Sequence, residues 1–284
     1  MRFRSAEEIA KDNNKGAAEL LADVIESIKK IEEDEIEGYL ETLVMKRYSM
    51  TPLVNLANKI FLSLERGEDI GSKIEDIEDD FLSRIDLVVT ETRDFIKNKN
   101  YNKILTLSYS STVVKALSNI GKVKVLESRP KMEGRKTAKK LAKKGNEVEY
   151  WVDAGMCKPL ENVDCVMVGA DTISKKGFLN KIGTRPLAIV SKSLGKKFYV
   201  VADSSKILSS KIPPSRGESH PPNEVWDNEN SVIVRNDYFE LTQLKRAEFI
   251  NENGRMKSKE IKKIVEKKEV SERVLNIHPL IRER

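Results

Sequence analysis

The sequence predicts an α/β protein. An N-terminal helical domain, residues 1–100, precedes a second domain, residues 101–284, built on a mostly parallel sheet. Two observations lead to this prediction. The first hundred residues carry apolar side chains at helical spacing, whereas the rest alternates short β-branched runs with helical stretches. Such alternation is typical of parallel strands whose crossover helices cover both faces of the sheet.

The N-terminal region opens with a helix-start signal. Ser5 and Glu8 have the spacing of a capping box, in which each side chain satisfies a backbone N–H at the start of a helix. Apolar residues then recur every three or four positions and indicate one buried face: Leu21, Val24, Ile25, Ile28 and Ile31. Further helices are predicted over residues 35–45, 52–65 and 74–97. The polar residues 97–100 interrupt the pattern and favour a domain boundary there.

Beyond that boundary, five short apolar runs read as strands. They cover residues 104–107, 123–126, 148–152, 165–168 and 198–202. Helical stretches separate them, for example residues 111–120 and 134–144. Ligands bind beyond the carboxyl ends of the strands in open sheets of this kind, so we expect functional residues directly after each strand.

Bulk composition narrows the class of protein. Hydrophobic residues make up 39% of the chain and charged residues 34%, which predicts a buried core beneath a densely charged surface. No apolar stretch has the length of a membrane-spanning helix, and the N-terminal segment is charged and amphipathic where a secretory signal would be apolar. We therefore expect a cytoplasmic protein.

The four thiol and imidazole side chains do not predict a metal site. Cys157, Cys165, His220 and His278 have spacings that match no zinc pattern, so we expect reduced thiols and no metal. The chain also lacks a Walker-type lysine loop and a G-x-G-x-x-G motif, which argues against nucleotide hydrolysis or dinucleotide chemistry. We expect no cofactor.

The net charge of +6 is compatible with affinity for phosphate-bearing molecules. The charge is dispersed, however, and no basic patch is interleaved with aromatic residues. The densest run, residues 257–268, places apolar residues at helical spacing and is better interpreted as the solvated face of an amphipathic helix. Nucleic acid is therefore not an expected partner.

Polar residues follow four of the predicted strands. Hydroxyl groups at a helix start, guanidinium groups, an amide and a carboxylate together suit a small phosphorylated polyol. The predicted ligand-binding residues are Ser110, Ser111, Arg129, Arg135, Asn180, Lys181 and Lys206. Asp171 adds a carboxylate directly after the fourth strand. Each residue alone is a weak signal, and their recurrence at successive strand ends carries the prediction.

Three linked motifs make the sequence resemble a known superfamily. They are ESRP with EG at residues 127–134, VGAD with a following glycine at residues 168–177, and NKIGT at residues 180–184. Similar features lie upstream, at residues 15–17 and 52–58. The superfamily joins the alpha, beta and delta subunits of initiation factor 2B to methylthioribose-1-phosphate isomerase and ribose-1,5-bisphosphate isomerase. The resemblance implies a helical domain followed by a Rossmann-like domain that binds ligand and dimerises.

The resemblance also separates two functions. In the isomerases it implies a catalytic cysteine after the first strand of the second domain and a catalytic aspartate in the GAD motif. Asp171 matches the aspartate, but Ser108 stands at the cysteine position, and Met50 lies near the position of an expected substrate arginine. A serine hydroxyl exchanges its proton poorly at neutral pH without a neighbouring base, whereas a thiol does so readily.

We therefore predict a regulatory protein like the alpha, beta and delta subunits of initiation factor 2B, with a pocket for a sugar phosphate or nucleotide. The resemblance implies self-association as a dimer or larger assembly, and contact with initiation factor 2 or related subunits. The alternative is an aldose–ketose isomerase that acts on a phosphorylated sugar through Asp171. Both functions remain open at the level of sequence.

Overall fold

The computed structural model describes residues 3–12, 15–215, 219–227 and 232–282. The chain forms two compact units. The helical unit contains Met1–Arg84, Ser205–Ser215 and Lys263–Arg284, and the sheet unit contains Ile85–Ser204 and Arg216–Lys262. Within the described ranges, no helix is long and apolar enough to cross a membrane.

The helices are numbered in chain order. They are α1 (Ala6–Lys11), α2 (Ala17–Ile28), α3 (Glu33–Lys46), α4 (Thr51–Glu65), α5 (Ile70–Asn98), α6 (Ser111–Leu117), α7 (Gly134–Lys143), α8 (Cys157–Glu161), α9 (Thr184–Ser193), α10 (Ser258–Lys267), α11 (Glu272–Ile277) and α12 (Pro279–Arg282). The predicted capping box is confirmed at the start of α1, where Ser5 Oγ accepts from Glu8 N at 3.2 Å and Glu8 Oε2 accepts from Ser5 N at 2.9 Å.

Helix α4 organises the helical unit through two buried asparagines. Asn55 donates from Nδ2 to the backbone oxygens of Ser205 (2.6 Å) and Ile207 (2.9 Å). Asn58 donates to Glu269 O at 3.1 Å and accepts from Ser271 N at 2.9 Å. These side chains satisfy backbone groups of segments far along the chain, which explains polar residues on a helix that is almost wholly buried.

The strands are likewise numbered in chain order. They are β1 (Lys103–Leu107), β2 (Lys122–Leu126), β3 (Glu147–Trp151), β4 (Cys165–Val168), β5 (Thr172–Ser174), β6 (Gly177–Lys181), β7 (Lys197–Val201), β8 (Phe239–Thr242), β9 (Glu248–Asn251) and β10 (Gly254–Met256). Seven form one sheet in the order β10-β9-β7-β4-β1-β2-β3. All its pairs are parallel except β9 with β10. The predicted fold class is confirmed.

Alternate strand residues build the core of the sheet unit. One face of the large sheet packs its apolar side chains against the second half of α5, α6 and α7, with Val88, Leu117 and Leu141 buried there. In the central strands β1 and β4, the alternate residues that face the other side of the sheet, such as Leu105 and Val166, are also fully buried. Both faces are therefore covered, as near-continuous apolar strands require.

The sequence did not predict the second sheet, which has the order β5-β6-β8 and antiparallel pairing. β5 is only three residues long, so it gives almost no periodic signal. β8 lies far along the chain, so only tertiary folding brings it to β6. Gly177 permits that approach, because a Cβ atom there would lie 2.4 Å from Thr242 O. As a result Asn180 and Lys181 lie within a strand.

Candidate functional site

Ser108, directly after β1, is held by its backbone. Its N–H donates to Ser128 Oγ at 2.7 Å, and its carbonyl accepts from Thr137 Oγ1 at 2.7 Å. Its φ of 68° lies in the left-handed region, which is uncommon for a residue with a side chain. β1 and β2 run in register, Leu107 opposite Leu126, so their carboxyl ends meet at one edge of the sheet. The backbone that carries the Ser108 hydroxyl is therefore held in place at that edge.

The segment after β2 is anchored by an acid that the sequence did not single out. The carboxylate of Asp153 accepts from Ser128 N at 2.9 Å and from Arg129 N at 2.7 Å. Gly134 lies so close to the strand that a Cβ atom there would be 2.0 Å from Leu126 O. The glycine of the ESRP–EG motif thus has a steric role.

Lys181 is a buried cation with a side-chain partner. It is 1% exposed, and Nζ donates to Glu133 Oε1 at 2.8 Å. The same ammonium lies 4.6 Å from the centroid of the Tyr238 ring. Glu133 Oε2 is buried and has no hydrogen-bond partner among the described residues. The structure therefore joins the ESRP–EG and NKIGT motifs through one ion pair, and that pair leaves an acceptor without a donor.

The remaining NKIGT residues form a tight, satisfied turn. Asn180 is buried and donates from Nδ2 to Thr184 Oγ1 at 2.9 Å, while Thr184 Oγ1 donates to Lys181 O at 2.6 Å. Gly183 has a φ of 99° and donates its N–H to Glu240 Oε1 at 2.6 Å. Glu240, on β8, is a further residue that the sequence analysis missed, because its partner lies 57 residues away.

Asp171 lies between β4 and β5 and is partly buried. Its N–H donates to Leu179 O at 2.9 Å, which places it beside β6, the strand that carries Asn180 and Lys181. The predicted carboxylate and the predicted amide and ammonium thus lie on neighbouring segments of the small sheet.

The serines that open α6 are positioned differently. Ser110 caps the helix, with Oγ accepting from Val113 N at 3.3 Å. A Cβ atom on Gly169 would lie 2.9 Å from Ser110 Cβ, so the end of β4 packs directly against this cap. Ser111 is exposed in the first turn of α6. The hydroxyl of Ser110 is therefore partly committed to the backbone, whereas that of Ser111 faces solvent.

The predicted cations outside the small sheet are more exposed. The guanidinium of Arg129 donates from Nη2 to Val225 O at 3.1 Å. Arg135 is exposed in the first turn of α7. Lys206 belongs to the helical unit, so its place in the pocket stays a prediction. Within the sheet unit, Ser108 and Lys181 are connected through the segment of residues 128–137.

Cys165 does not supply a reactive thiol at Ser108. Cys165 lies in the centre of the sheet on β4, fully buried, and burial raises the pKa of its thiol. Cys157 is exposed at the start of α8. No group of histidine, cysteine, aspartate and glutamate residues in the described part of the chain could hold a metal ion.

A second set of residues, which the sequence did not predict, lies beside Lys181. The ring of His220 stacks on Tyr238 with centroids 3.4 Å apart. The carboxylate of Glu224 accepts from Tyr238 OH, from Lys131 Nζ and, at 3.0 Å, from Asn236 Nδ2. The hydrogen bonds from Lys131 and Tyr238 lower the pKa of Glu224 to about 2, so the carboxylate is ionised at neutral pH.

Comparison with known proteins gives relatives of two kinds. The ribose 1,5-bisphosphate isomerase of Archaeoglobus fulgidus is 31% identical over 224 residues, which cover 72% of this chain and 71% of the relative. The solved translation initiation factor eIF-2B of Pyrococcus horikoshii OT3 has a TM-score of 0.73 and 25% identity, over 88% of this chain and 94% of that chain.

A third comparison concerns a solved assembly. The tetrameric eIF2B-beta2-delta2 complex from C. thermophilum has a TM-score of 0.61 and 17% identity, over 93% of this chain and 89% of that chain. At that identity the likeness shows a shared fold. A model of the Initiation factor 2 subunit family matches residues 5–258, a span that contains every predicted site residue. The resemblance carried by the three motifs is thereby confirmed, and the chain belongs to the Initiation factor 2 subunit family.

Proposed function

We propose that this chain is a regulatory protein of the kind represented by the alpha, beta and delta subunits of initiation factor 2B, and that it retains a pocket for a sugar phosphate or nucleotide. The observation that carries the proposal is Ser108 at the edge of the sheet, where the resemblance implies a catalytic thiol. Its backbone is fixed by Ser128 and Thr137, and Cys165, which lies within the sheet, is fully buried.

The chemistry of the hydroxyl supports the regulatory role. A thiol has a reference pKa of about 8.5, so it can release and recover a proton near neutral pH. A serine hydroxyl needs an adjacent base to do the same, and the hydrogen bonds that hold Ser108 involve its N–H and its carbonyl, with hydroxyl partners on Ser128 and Thr137. Among the described residues no base is hydrogen-bonded to the Ser108 hydroxyl, and a hydroxyl without such a base contributes little to aldose–ketose exchange.

The pocket itself is supported by the charges at the carboxyl end of the large sheet. Lys181 and Arg129 supply cations, and Asn180 supplies an amide on the same strand as Lys181. Glu133 Oε2 is a buried acceptor without a hydrogen-bond partner in the described residues, and a sugar hydroxyl would satisfy it. Cations for phosphate and an acceptor for hydroxyl groups are the combination that a phosphorylated sugar requires.

The alternative function is an aldose–ketose isomerase. Two observations favour it: Asp171 is retained beside β6, and the isomerase of Archaeoglobus fulgidus is 31% identical over 72% of this chain. In this alternative Asp171 would move the proton between the two sugar carbons, and a group other than a thiol would act as its partner.

One assay separates the two functions. The purified protein is incubated with ribose 1,5-bisphosphate and with methylthioribose 1-phosphate, and ketose product is measured. We expect binding without appreciable turnover, because a missing acid–base group costs about a hundredfold to ten-thousandfold in rate. Ser108→Cys should raise the residual rate, and adding Asp171→Asn should abolish the gain. Robust turnover by the unmodified chain that disappears in Asp171→Asn would establish the isomerase instead.

If neither the unmodified chain nor Ser108→Cys forms ketose product, a purely regulatory protein is favoured. A missing substrate cation near Met50 would also prevent product formation. The double variant Ser108→Cys with Met50→Arg distinguishes these cases, because only a repairable active site would gain activity.

Self-association is part of the proposed role, together with contact with initiation factor 2 or related subunits. Ile182 after β6, Ile189 on α9 and Leu241 on β8 are 40%, 41% and 36% exposed, and α9 packs against β8. Neighbouring exposed apolar residues favour an interface between copies. Light scattering at micromolar concentration should show at least a dimer, and Ile189→Glu should weaken it more than Leu87→Glu on α5. A clean monomer of 32.3 kDa would contradict this.

Two further expectations stay proposals. We propose that the chain works in the cytoplasm. We also propose that residues 101–284 act as the ligand-binding and dimerisation domain, with residues 1–100 as a separate helical domain. Limited proteolysis of the full chain, followed by phosphate-ligand titration of any stable fragment that begins near residue 101, would test the second expectation.

A further inference from the structure

The carboxylate of Glu224 is surrounded by groups that normally bind phosphate. Lys131 Nζ, Tyr238 OH and Asn236 Nδ2 all donate hydrogen bonds to it, the last at 3.0 Å. An ammonium, a phenol and an amide that converge on one anion match the donors that hold phosphoryl oxygens. Glu224 is the acceptor common to all three.

The same segment also engages Arg129, a predicted ligand cation. The carbonyl of Val225, the next residue after Glu224, accepts from Arg129 Nη2 at 3.1 Å. Arg129 and Lys131, the two cations that follow β2, thus donate hydrogen bonds to Val225 and Glu224, which are consecutive residues of one segment. That segment, residues 219–227, is held in turn by Asn236, whose Nδ2 donates to Pro221 O at 2.7 Å.

Tyr238 links this cluster to the buried cation of the pocket. Lys181 Nζ lies 4.6 Å from the Tyr238 ring centroid and Lys131 Nζ lies 5.8 Å from it. Arg129, Lys131 and Lys181 carry three positive charges against three carboxylates, those of Glu133, Glu224 and Asp153, the last bound to Arg129 N at 2.7 Å. If Glu224 moved away, one positive charge would remain uncompensated beside a phenol donor, which is an electrostatic site for a phosphoryl group.

Access to the cluster comes from solvent. The side chain of Glu224 is 22% exposed and that of Lys131 is 48% exposed, so an anion can approach without unfolding the core. Glu224 stays ionised at neutral pH because its pKa is about 2. It therefore competes with incoming anions as a full negative charge.

We propose that Lys131, Arg129, Tyr238 and Asn236 form a phosphate subsite, that Glu224 occupies it as an internal anion, and that a phosphoryl group of the ligand displaces Glu224. This inference rests on the proposed sugar-phosphate pocket and adds a means of its regulation. In this arrangement the ligand's apparent affinity is reduced by the fraction of molecules in which Glu224 is docked.

The test measures the dissociation constant for ribose 1,5-bisphosphate and for pyrophosphate by isothermal titration calorimetry. Glu224→Gln keeps the shape of the side chain and removes its charge, and we expect both ligands to bind about fivefold more tightly. Lys131→Gln should weaken binding by about fivefold, because it removes a donor of the subsite. Glu161→Gln on α8 is the matched control, since it removes one negative charge at a surface ion pair with Lys158. Melting curves confirm that each variant is folded.

Trp226 provides an independent signal. It is 53% exposed and adjoins Val225, and the chain has only one other tryptophan, Trp151. In a Trp151→Phe background, the fluorescence of Trp226 should change saturably on ligand addition, with the dissociation constant found by calorimetry. Glu224→Gln alone should shift the spectrum in the direction that ligand does, because it removes the charge that holds this segment on Lys131.

The outcomes separate this inference from the pocket on which it rests. If Glu224→Gln binds no more tightly than Glu161→Gln while Lys181→Ala still abolishes binding, the pocket stands and the subsite is overturned. If neither the unmodified chain nor Glu224→Gln binds either ligand, both proposals are overturned. If Glu224→Gln binds a ligand that the unmodified chain does not bind, the subsite is supported, and docked Glu224 excludes the ligand completely.

Discussion

The two ends of the large parallel sheet use the same residue types for different purposes. At the amino end, Asp164 accepts from the backbone N–H groups of Asn102 and Lys103, both at 2.8 Å. At the carboxyl end, Asp153 binds backbone N–H groups in the same way, but Glu133 accepts from another side chain, that of the buried Lys181, and its second oxygen has no partner among the described residues. An acid bound to backbone N–H groups fixes a loop, whereas an acid paired with a lysine leaves a movable charge and a spare acceptor.

The asparagines repeat the contrast. At the amino end, Asn146 accepts from Asn119 N at 3.0 Å and donates to Leu117 O at 2.8 Å, so its amide is used by the backbone. At the carboxyl end, the part of the chain that the structure describes gives the Asn180 side chain one hydrogen bond, from Nδ2 to Thr184 Oγ1. The difference teaches that a polar residue signals a ligand site only where the backbone does not already use it. Four predictions test this comparison.

The largest expected effect concerns two glycines at opposite ends. Gly134→Ala at the carboxyl end would force a Cβ atom to within 2.0 Å of Leu126 O, and we expect a loss of about 3 kcal/mol in the free energy of unfolding. Gly145→Ala at the amino end adds a Cβ at 3.5 Å from Asn119 Oδ1 but keeps a φ of 88°, which should cost about 1 kcal/mol. Urea denaturation measures both, and equal losses would contradict the steric argument.

The second prediction separates stability from binding. Asn146→Ala leaves buried backbone groups without partners and should cost about 2 kcal/mol in unfolding free energy, with ligand affinity unchanged. Asn180→Ala removes one hydrogen bond and should cost about 1 kcal/mol, yet weaken sugar-phosphate binding about tenfold. Thermal melts and calorimetric titrations of both variants give the four values. The reverse pattern would place the functional end of the sheet at the amino side.

The third prediction concerns stabilisation by ligand. A sugar phosphate at ten times its dissociation constant should stabilise the protein by about 1.4 kcal/mol, and added NaCl should reduce the effect by screening. Arg129→Ala combined with Lys181→Ala should abolish it. The matched control removes two lysines from the amino ends of β1 and β2, Lys103→Ala with Lys122→Ala, and should leave it intact. If the ligand still raises the melting temperature of the variant that combines Arg129→Ala with Lys181→Ala, the site is refuted.

The smallest effect is expected at an exposed ion pair of the amino end. Lys122 Nζ lies 2.8 Å from Glu147 Oε1, and the Glu147 side chain is 70% exposed. Glu147→Gln should therefore change the unfolding free energy by less than about 0.5 kcal/mol. A loss several times larger in a urea titration would mean that the amino end also depends on side-chain charge, and the contrast between the two ends would disappear.

The sequence by itself determined the fold class, the capping box at Ser5, most strands of the large sheet and the family, because periodicity, caps and linked motifs are local signals. It also directed attention to Asp171, Asn180 and Lys181, whose roles in the site remain proposals. Only the tertiary structure decided which partners these residues have.

Glu133, Tyr238 and Glu240 lie 48 to 57 residues from the NKIGT residues that they contact, and no short-range pattern predicts such pairs. The small sheet was missed for the same reason, since β6 and β8 meet only after the intervening chain has folded. Short stretches of sequence are enough to identify charged residues and to predict where strands end. Whether a charge is buried, neutralised or left available is decided by residues that approach it from elsewhere in the fold.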